Sequence, residues 1–179
     1  CPSPNLPIRA AALNGLASFC LADEDFAANF AYHEEGLALR RQLNDTEGIA
    51  TVLHNMGLTA FILGDYAQSM VRLQESITIY PEDTTSALAH MGLIAQETQN
   101  LPQAKVWLEQ AYQQAMLEPE GWMQAFVMNF LADVLREMGD FDQATSLAQT
   151  SLRLFTELDD SYYLPDAQIT LAQIALDQG

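Results

Sequence analysis

The stretch Leu53–Met70, LHNMGLTAFILGDYAQSM, decides the fold. Leu53, Met56, Gly57 and Ala60 fall at offsets of three and four, which places them on one face of a helix. Gly64-Asp65-Tyr66 then breaks that helix. Glycine tolerates the left-handed conformation that ends a helix, the aspartate accepts from the first free amides of the next one, and Tyr66 plugs the corner. A second helix continues through Ser69, small enough for two helices to cross closely. The stretch predicts an antiparallel helical hairpin.

The hairpin recurs. With Gly57 as the eighth position of a unit, small residues stand at Ala17, Gly57, Gly92, Ala132 and Ala172, spaced 40, 35, 40 and 40 residues apart. Four places earlier come Leu13, Leu53, Leu88 and Met128, and immediately before come Leu16, Met56, Met91, Leu131 and Leu171. Three places later come Cys20, Ala60, Ala95, Leu135 and Ala175. The break repeats as Glu24-Asp25-Phe26, Gln99-Asn100-Leu101 and Gly139-Asp140-Phe141, with Gly179 where a fifth copy would turn. The second helix of each unit, helix B, carries Asn29, Ser69, Ala104 and Ala144, then His33, Leu73, Leu108 and Ala148, then Gly36, Ser76, Ala111 and Ser151. Units that stack on copies of themselves build a ridged surface in place of a closed pocket. The expected organisation is an extended lead-in over 1–8, marked by Pro2, Pro4 and Pro7, then one domain over 9–179. Within it the repeats cover about 10–45, 46–81, 82–118 and 119–159, with a half repeat over 160–179.

These positions resemble the tetratricopeptide repeat, a helix-turn-helix unit with small residues at its eighth, twentieth and twenty-seventh places. The resemblance spans roughly residues 10–179 and is best over Ala50–Tyr80; Asn29, His33 and the missing turn glycine of the third unit depart from it. It implies an all-α fold, a right-handed superhelix of antiparallel hairpins whose first helices, helices A, line the concave face. The segment His33–Asp45 is similar to the long-helix repeats of large bacterial transcription activators and related signalling ATPases. That similarity implies a sensor region of a larger regulator, and a generic repeat scaffold is the competing reading.

Composition limits the function classes. Twenty-four acidic residues against seven basic ones give a formal charge of −17. Nucleic-acid affinity rests on lysine and arginine neutralising phosphate, so this segment is expected to repel DNA and RNA. No apolar run approaches the ~20 residues that span a bilayer, and no charged-then-apolar leader precedes the first helix. A soluble, cytoplasmic protein, cut from a longer chain, is the expectation. Cys20 stands where other units carry alanine and is expected to be a buried thiol.

Chemistry leaves little trace. There is no glycine-rich phosphate loop and no nucleophile beside a base in a recognisable motif, so the chain reads as noncatalytic and without cofactor. His54 and His90 occupy different positions in their units and lack a third ligand, which argues against a metal. Acidic pairs at Glu24-Asp25 and Asp159-Asp160 read as helix caps.

Recognition is therefore assigned to the outward positions of the A helices. The candidates are Asn14, His54, Asn55, Leu58, Phe61, His90, Leu93, Asn129, Asp133, Arg136 and Glu137. Their groove is apolar with amides near its start and acidic towards its end, with Arg136 its lone cation. A basic amphipathic helix or extended basic peptide would complement it. Binding of a peptide C-terminal carboxylate, as some tetratricopeptide modules do, is not expected, because the required lysines and arginines are missing. The expected function is a protein-interaction or sensor module attached to an effector domain. A structural spacer or oligomerisation scaffold is the alternative: the helix around 161–178 carries Leu164, Ile169, Leu171, Ile174 and Leu176 with no following partner, which predicts self-association through a terminal face.

Overall fold

A computed structural model describes residues 5–117 and 121–179 of the chain. Among these residues the secondary structure is helical throughout: α1 (Leu6–Ala22), α2 (Phe26–Leu43), α3 (Thr46–Ile62), α4 (Tyr66–Ile79), α5 (Thr85–Glu97), α6 (Leu101–Ala115), α7 (Trp122–Glu137), α8 (Phe141–Glu157) and α9 (Leu164–Asp177). Odd-numbered helices are the A helices and even-numbered ones the B helices. The lead-in expected over 1–8 is helical from Leu6, because Pro7 sits in the first turn, where its missing N–H is not needed; residues 1–4 lie outside the described residues.

The four A-to-B turns share one geometry. Glu24, Gly64, Gln99 and Gly139 take φ of 58°, 74°, 60° and 83°. The following residue then donates its N–H back to the helix: Asp25 to Cys20 O (2.8 Å), Asp65 to Ala60 O (2.9 Å), Asn100 to Ala95 O (2.7 Å) and Asp140 to Leu135 O (2.9 Å). That bond satisfies a carbonyl orphaned at the helix end. Asp25, Asp65 and Asp140 cap the next helix by accepting from Ala28, Gln68 and Gln143. Asn100 makes no such side-chain bond, and Pro102 in the first turn of α6 replaces the capping signal. The fifth turn position, Gly179, is also left-handed.

The long spacing has two sources. Helices α2 and α8 run for 18 and 17 residues against 14 in α4. The third unit has a 15-residue B helix and instead a longer link before Trp122.

The chain divides into two compact units, Cys1–Ala87 and Leu88–Gly179. In the first, α1 pairs with α2 and α3 with α4, around Leu37, Val52, Leu53 and Met56. In the second, α7 packs on α6, α8 and α9, and its Phe126, Val127, Val134 and Leu135 are buried. The small positions are the crossing points: Ala17, Ala60, Ala104, Ala132, Ala144 and Ala148 are all at most 1% exposed. Where a polar residue takes a small position it bonds to the backbone of the helix it crosses. Asn29 Nδ2 donates to Ala17 O and Ser69 Oγ to Gly57 O, both at 2.8 Å; Ser76 Oγ donates to Ala50 O at 2.8 Å and Ser151 Oγ to Ala125 O at 2.7 Å. A helix carbonyl has a second lone pair, so these hydroxyls and the amide are satisfied without breaking the helix.

Four residues at expected packing positions differ. Cys20 is free and only half-buried, whereas Ala60 and Ala95 at the same position of their helices are buried. Leu16 remains 46% exposed, since α1 packs principally on α2 alone. Ala172 and Ala175 are exposed, because α9 packs on α7 and α8 and no B helix follows it among the described residues.

Candidate functional site

The A-helix positions separate into two local arrangements, one in each unit. In the first unit Asn55 Nδ2 donates to Asn14 Oδ1 at 3.1 Å, joining α3 to α1. The ring of Phe61 tilts against Tyr66 across the turn, with centroids 5.7 Å apart. His54, Asn55, Leu58 and Phe61 are half-buried, whereas Ile62 is 56% exposed.

Beside His54 lies a cavity of about 210 Å³ lined by Glu47, Ala50, Thr51 and His54 of α3, Ser76 of α4, Tyr80 and Asp83 of the following link, and Ser86 and Ala87 at the start of α5. Its His54 Nε2 lies 3.2 Å from Ser86 Oγ. Thr51 Oγ1 donates to Glu47 O, which leaves its oxygen able to accept. The Tyr80 phenol is held above its usual range first by its hydrogen bond to the Glu82 carboxylate and by that group's charge, then by burial and the charges of Glu47 and Asp83. No lysine or arginine lines the cavity. Sequence reasoning reached His54 through the outward periodicity of the A helices. It missed Glu47, Tyr80 and Asp83, for which Pro81 between two apolar-periodic segments, flanked by Tyr80 and Glu82-Asp83, was the available signal.

In the second unit the acidic residues are drawn into a network. Arg136 Nε donates to Asp133 Oδ1 at 2.8 Å and its Nη1 to Asp177 Oδ2 at 2.7 Å, so α7 is tied to α9. Gln96 Nε2 donates to Asp133 Oδ2 at 2.7 Å and to Glu137 Oε1 at 2.6 Å, tying α5 to α7. Burial works against the Arg136 charge, but its hydrogen bonds to Asp177 and Asp133 and their charges outweigh it and raise its pKa. One guanidinium among three carboxylates leaves a negative residue of charge, already turned inward on protein donors. His90 packs its ring on Phe126 with centroids 5.5 Å apart. Leu93 and Asn129 are 8% and 2% exposed and sit inside the unit. Asn129 Oδ1 is buried with no hydrogen-bond partner.

A larger cavity, about 810 Å³, lies elsewhere. It opens on the B-helix side of the second unit, lined by Val106, Gln110 and Tyr112 of α6, Leu131 and Leu135 of α7, and Leu147 of α8. The A-helix pattern gave no hint of it, because it arises from the separation of two B helices. Among the described residues no group of three or more His, Cys, Asp or Glu could hold a metal ion, and no helix is long and apolar enough to cross a membrane.

Comparison with known proteins fits this geometry. A model of the family described as Tetratricopeptide repeat matches residues 8–82 and 83–157. Among solved structures the chain is similar to BtubC (BKLC) from P. vanneervenii, with a TM-score of 0.82 at 16% identity over 97% of this chain and 76% of that one. It is also similar to a Podosopora anserina putative kinesin light chain with nearly identical TPR-like repeats, with a TM-score of 0.73 at 15% identity over 97% of this chain and 88% of that one. At such identities the likeness is one of fold. No curated protein matches the chain.

Proposed function

This chain belongs to the tetratricopeptide-repeat family, and from that premise we propose that it is a noncatalytic module binding a protein or peptide on its A-helix side chains. Repeats of this family generally mediate protein–protein interaction. The observation that supports the A-helix assignment is the row Thr51, His54, Asn55, Leu58, Phe61 and Ile62 on α3, at least partly exposed where the B helices do not cover it. The partner is a basic peptide or helix. A formal charge of −17 favours a cationic partner, steers its approach and disfavours acidic ones. The parent protein is a bacterial transcriptional or signalling regulator carrying an effector domain, a reading that rests on the His33–Asp45 segment alone.

An array of peptides graded in charge tests the proposal. Lysine-rich members are expected to bind the 179-residue chain, and a Leu58→Lys, Ile62→Lys variant is expected to lose them while its melting temperature holds. Binding that survives this variant moves the interface off α3. Acidic peptides outcompeting basic ones reverse the assigned partner.

A second reading is favoured by α9. Ile169 and Leu176 are 53% and 79% exposed there, and Ala172 and Ala175 stand open where complete units are covered. This apolar face supports self-association of the chain. Sedimentation that finds only monomer at high concentration removes that reading.

A further inference from the structure

We propose that the cavity beside His54 is a receptor for one lysine side chain of a partner polypeptide. Size sets the first limit. About 210 Å³ is less than the ~300–1,000 Å³ of pockets that take whole drug-sized molecules, so the cavity holds one side chain and not a complete ligand. The lining then sets the chemistry. Ala50 and Ala87, 6% and 3% exposed, give it an apolar base on which a hydrocarbon stem packs.

Around that base, acceptors come from three elements: the Glu47 carboxylate and Thr51 hydroxyl on α3, Tyr80 and Asp83 on the link after α4, and Ser86 on α5. Two carboxylates without a lining lysine or arginine call for a cation, and acceptors spread in three dimensions suit a compact ammonium with three rotatable donors better than a planar guanidinium fork. Both carboxylates stand on exposed residues, so the charge meets the incoming group before it is desolvated. The Tyr80 phenol already donates to Glu82, which leaves its oxygen to accept.

The pocket rests on the A-helix reading only for the identity of the molecule that carries the lysine. Its own test needs no natural partner. The full chain is titrated at low ionic strength with the pentapeptide Ac-Gly-Ala-Lys-Ala-Gly-amide, with its twin carrying Nε-acetyl-lysine, and with spermidine, while nuclear magnetic resonance follows the His54 ring and the Ser86 and Ala87 amides. The lysine peptide is expected to shift these signals saturably with a Kd of about 1 mM, and the acetylated twin to leave them still. Glu47→Gln and Asp83→Asn are each expected to weaken binding about fivefold, and together more than tenfold, whereas the remote Glu157→Gln changes nothing.

Equal binding of the two peptides, or lysine binding that ignores both substitutions, overturns the proposal. Spermidine shifting the His54 signals where the lysine peptide does not would make the site a polyamine receptor and overturn the assignment to a polypeptide. Loss of the array signal in the Leu58 and Ile62 variant, with lysine titration intact, separates failure of the wider face from failure of the pocket.

Discussion

A methyl group on Gly92 would lie 2.5 Å from Leu108 Cγ and 3.0 Å from its Cδ2. Leu108 is wholly buried, so it has no open space into which to turn. The same two positions are Gly57 and Leu73 in the second unit, where the added methyl would meet Leu73 at 3.0 Å. In the fourth unit they are Ala132 and Ala148. Small and large exchange across one crossing point: a glycine faces each leucine, and an alanine faces the alanine.

Gly92→Ala is therefore expected to lower stability by about 1–2 kcal/mol, overpacking outweighing the ~1 kcal/mol that alanine gains in helix propensity. Gly57→Ala should cost less. Urea unfolding of Gly92→Ala, Leu108→Ala and the double variant tests the coupling: the double variant should be more stable than the sum of the singles predicts, as the Ala132–Ala148 pair implies.

His33 takes the place of Leu73 and Leu108 in the first unit, is 2% exposed, and has an unpartnered Nδ1. Burial lowers its pKa below 6.5, so between the two values the unfolded chain binds more protons than the folded one. Stability then falls as pH drops through 6.5 and below. His33→Leu is expected to stabilise the fold by about 1 kcal/mol at neutral pH and by more at pH ~5. Denaturation midpoints of both proteins at the two pH values decide it; a gain that shrinks on acidification contradicts the assignment.

Glu24 and Gln99 hold left-handed backbone at the turn position where the other units place glycine. A side chain there costs about 1 kcal/mol. Gln99→Gly and Glu24→Gly are each expected to raise the melting temperature, and Gly139→Gln to lower it by a similar amount, as calorimetry would read.

Arg136 is the single cation among Asp133, Glu137 and Asp177, with its side chain 17% exposed. Arg136→Met is expected to cost about 1–2 kcal/mol, because it leaves carboxylates facing one another across α7 and α9. Part of that loss should return in ~0.5 M salt, which screens repulsion between partly exposed charges. A loss unaffected by salt would point to the packing of the arginine stem instead.

Particular residues show what was legible. The turn triplets, the aspartate caps and the small crossing residues were readable because each meets a local requirement: a left-handed φ, an orphan amide, a close approach. Ala104, Ala111 and Ala144 were placed at the crossings from spacing alone, and all three are buried. Cys20 and Leu16 were not placed correctly, since burial depends on which neighbour lies over a position and periodicity gives only the face.

The candidate site was legible to the same depth. Periodicity put Asp133, Arg136 and Glu137 on one side of α7, yet it could not show that Gln96 and Asp177, 41 residues either side of Glu137 and Arg136, would bind that acidity internally. Nor could it bring Tyr80 and Asp83 to His54, because that meeting depends on the path of the link after α4. The sequence by itself determined the repeating hairpin, its turns and its crossing points, all governed by backbone conformation and contacts within a few tens of residues. Tertiary structure alone decided which charges are spent inside the protein and which line an open cavity, because that distribution is set by the packing of side chains from separate helices.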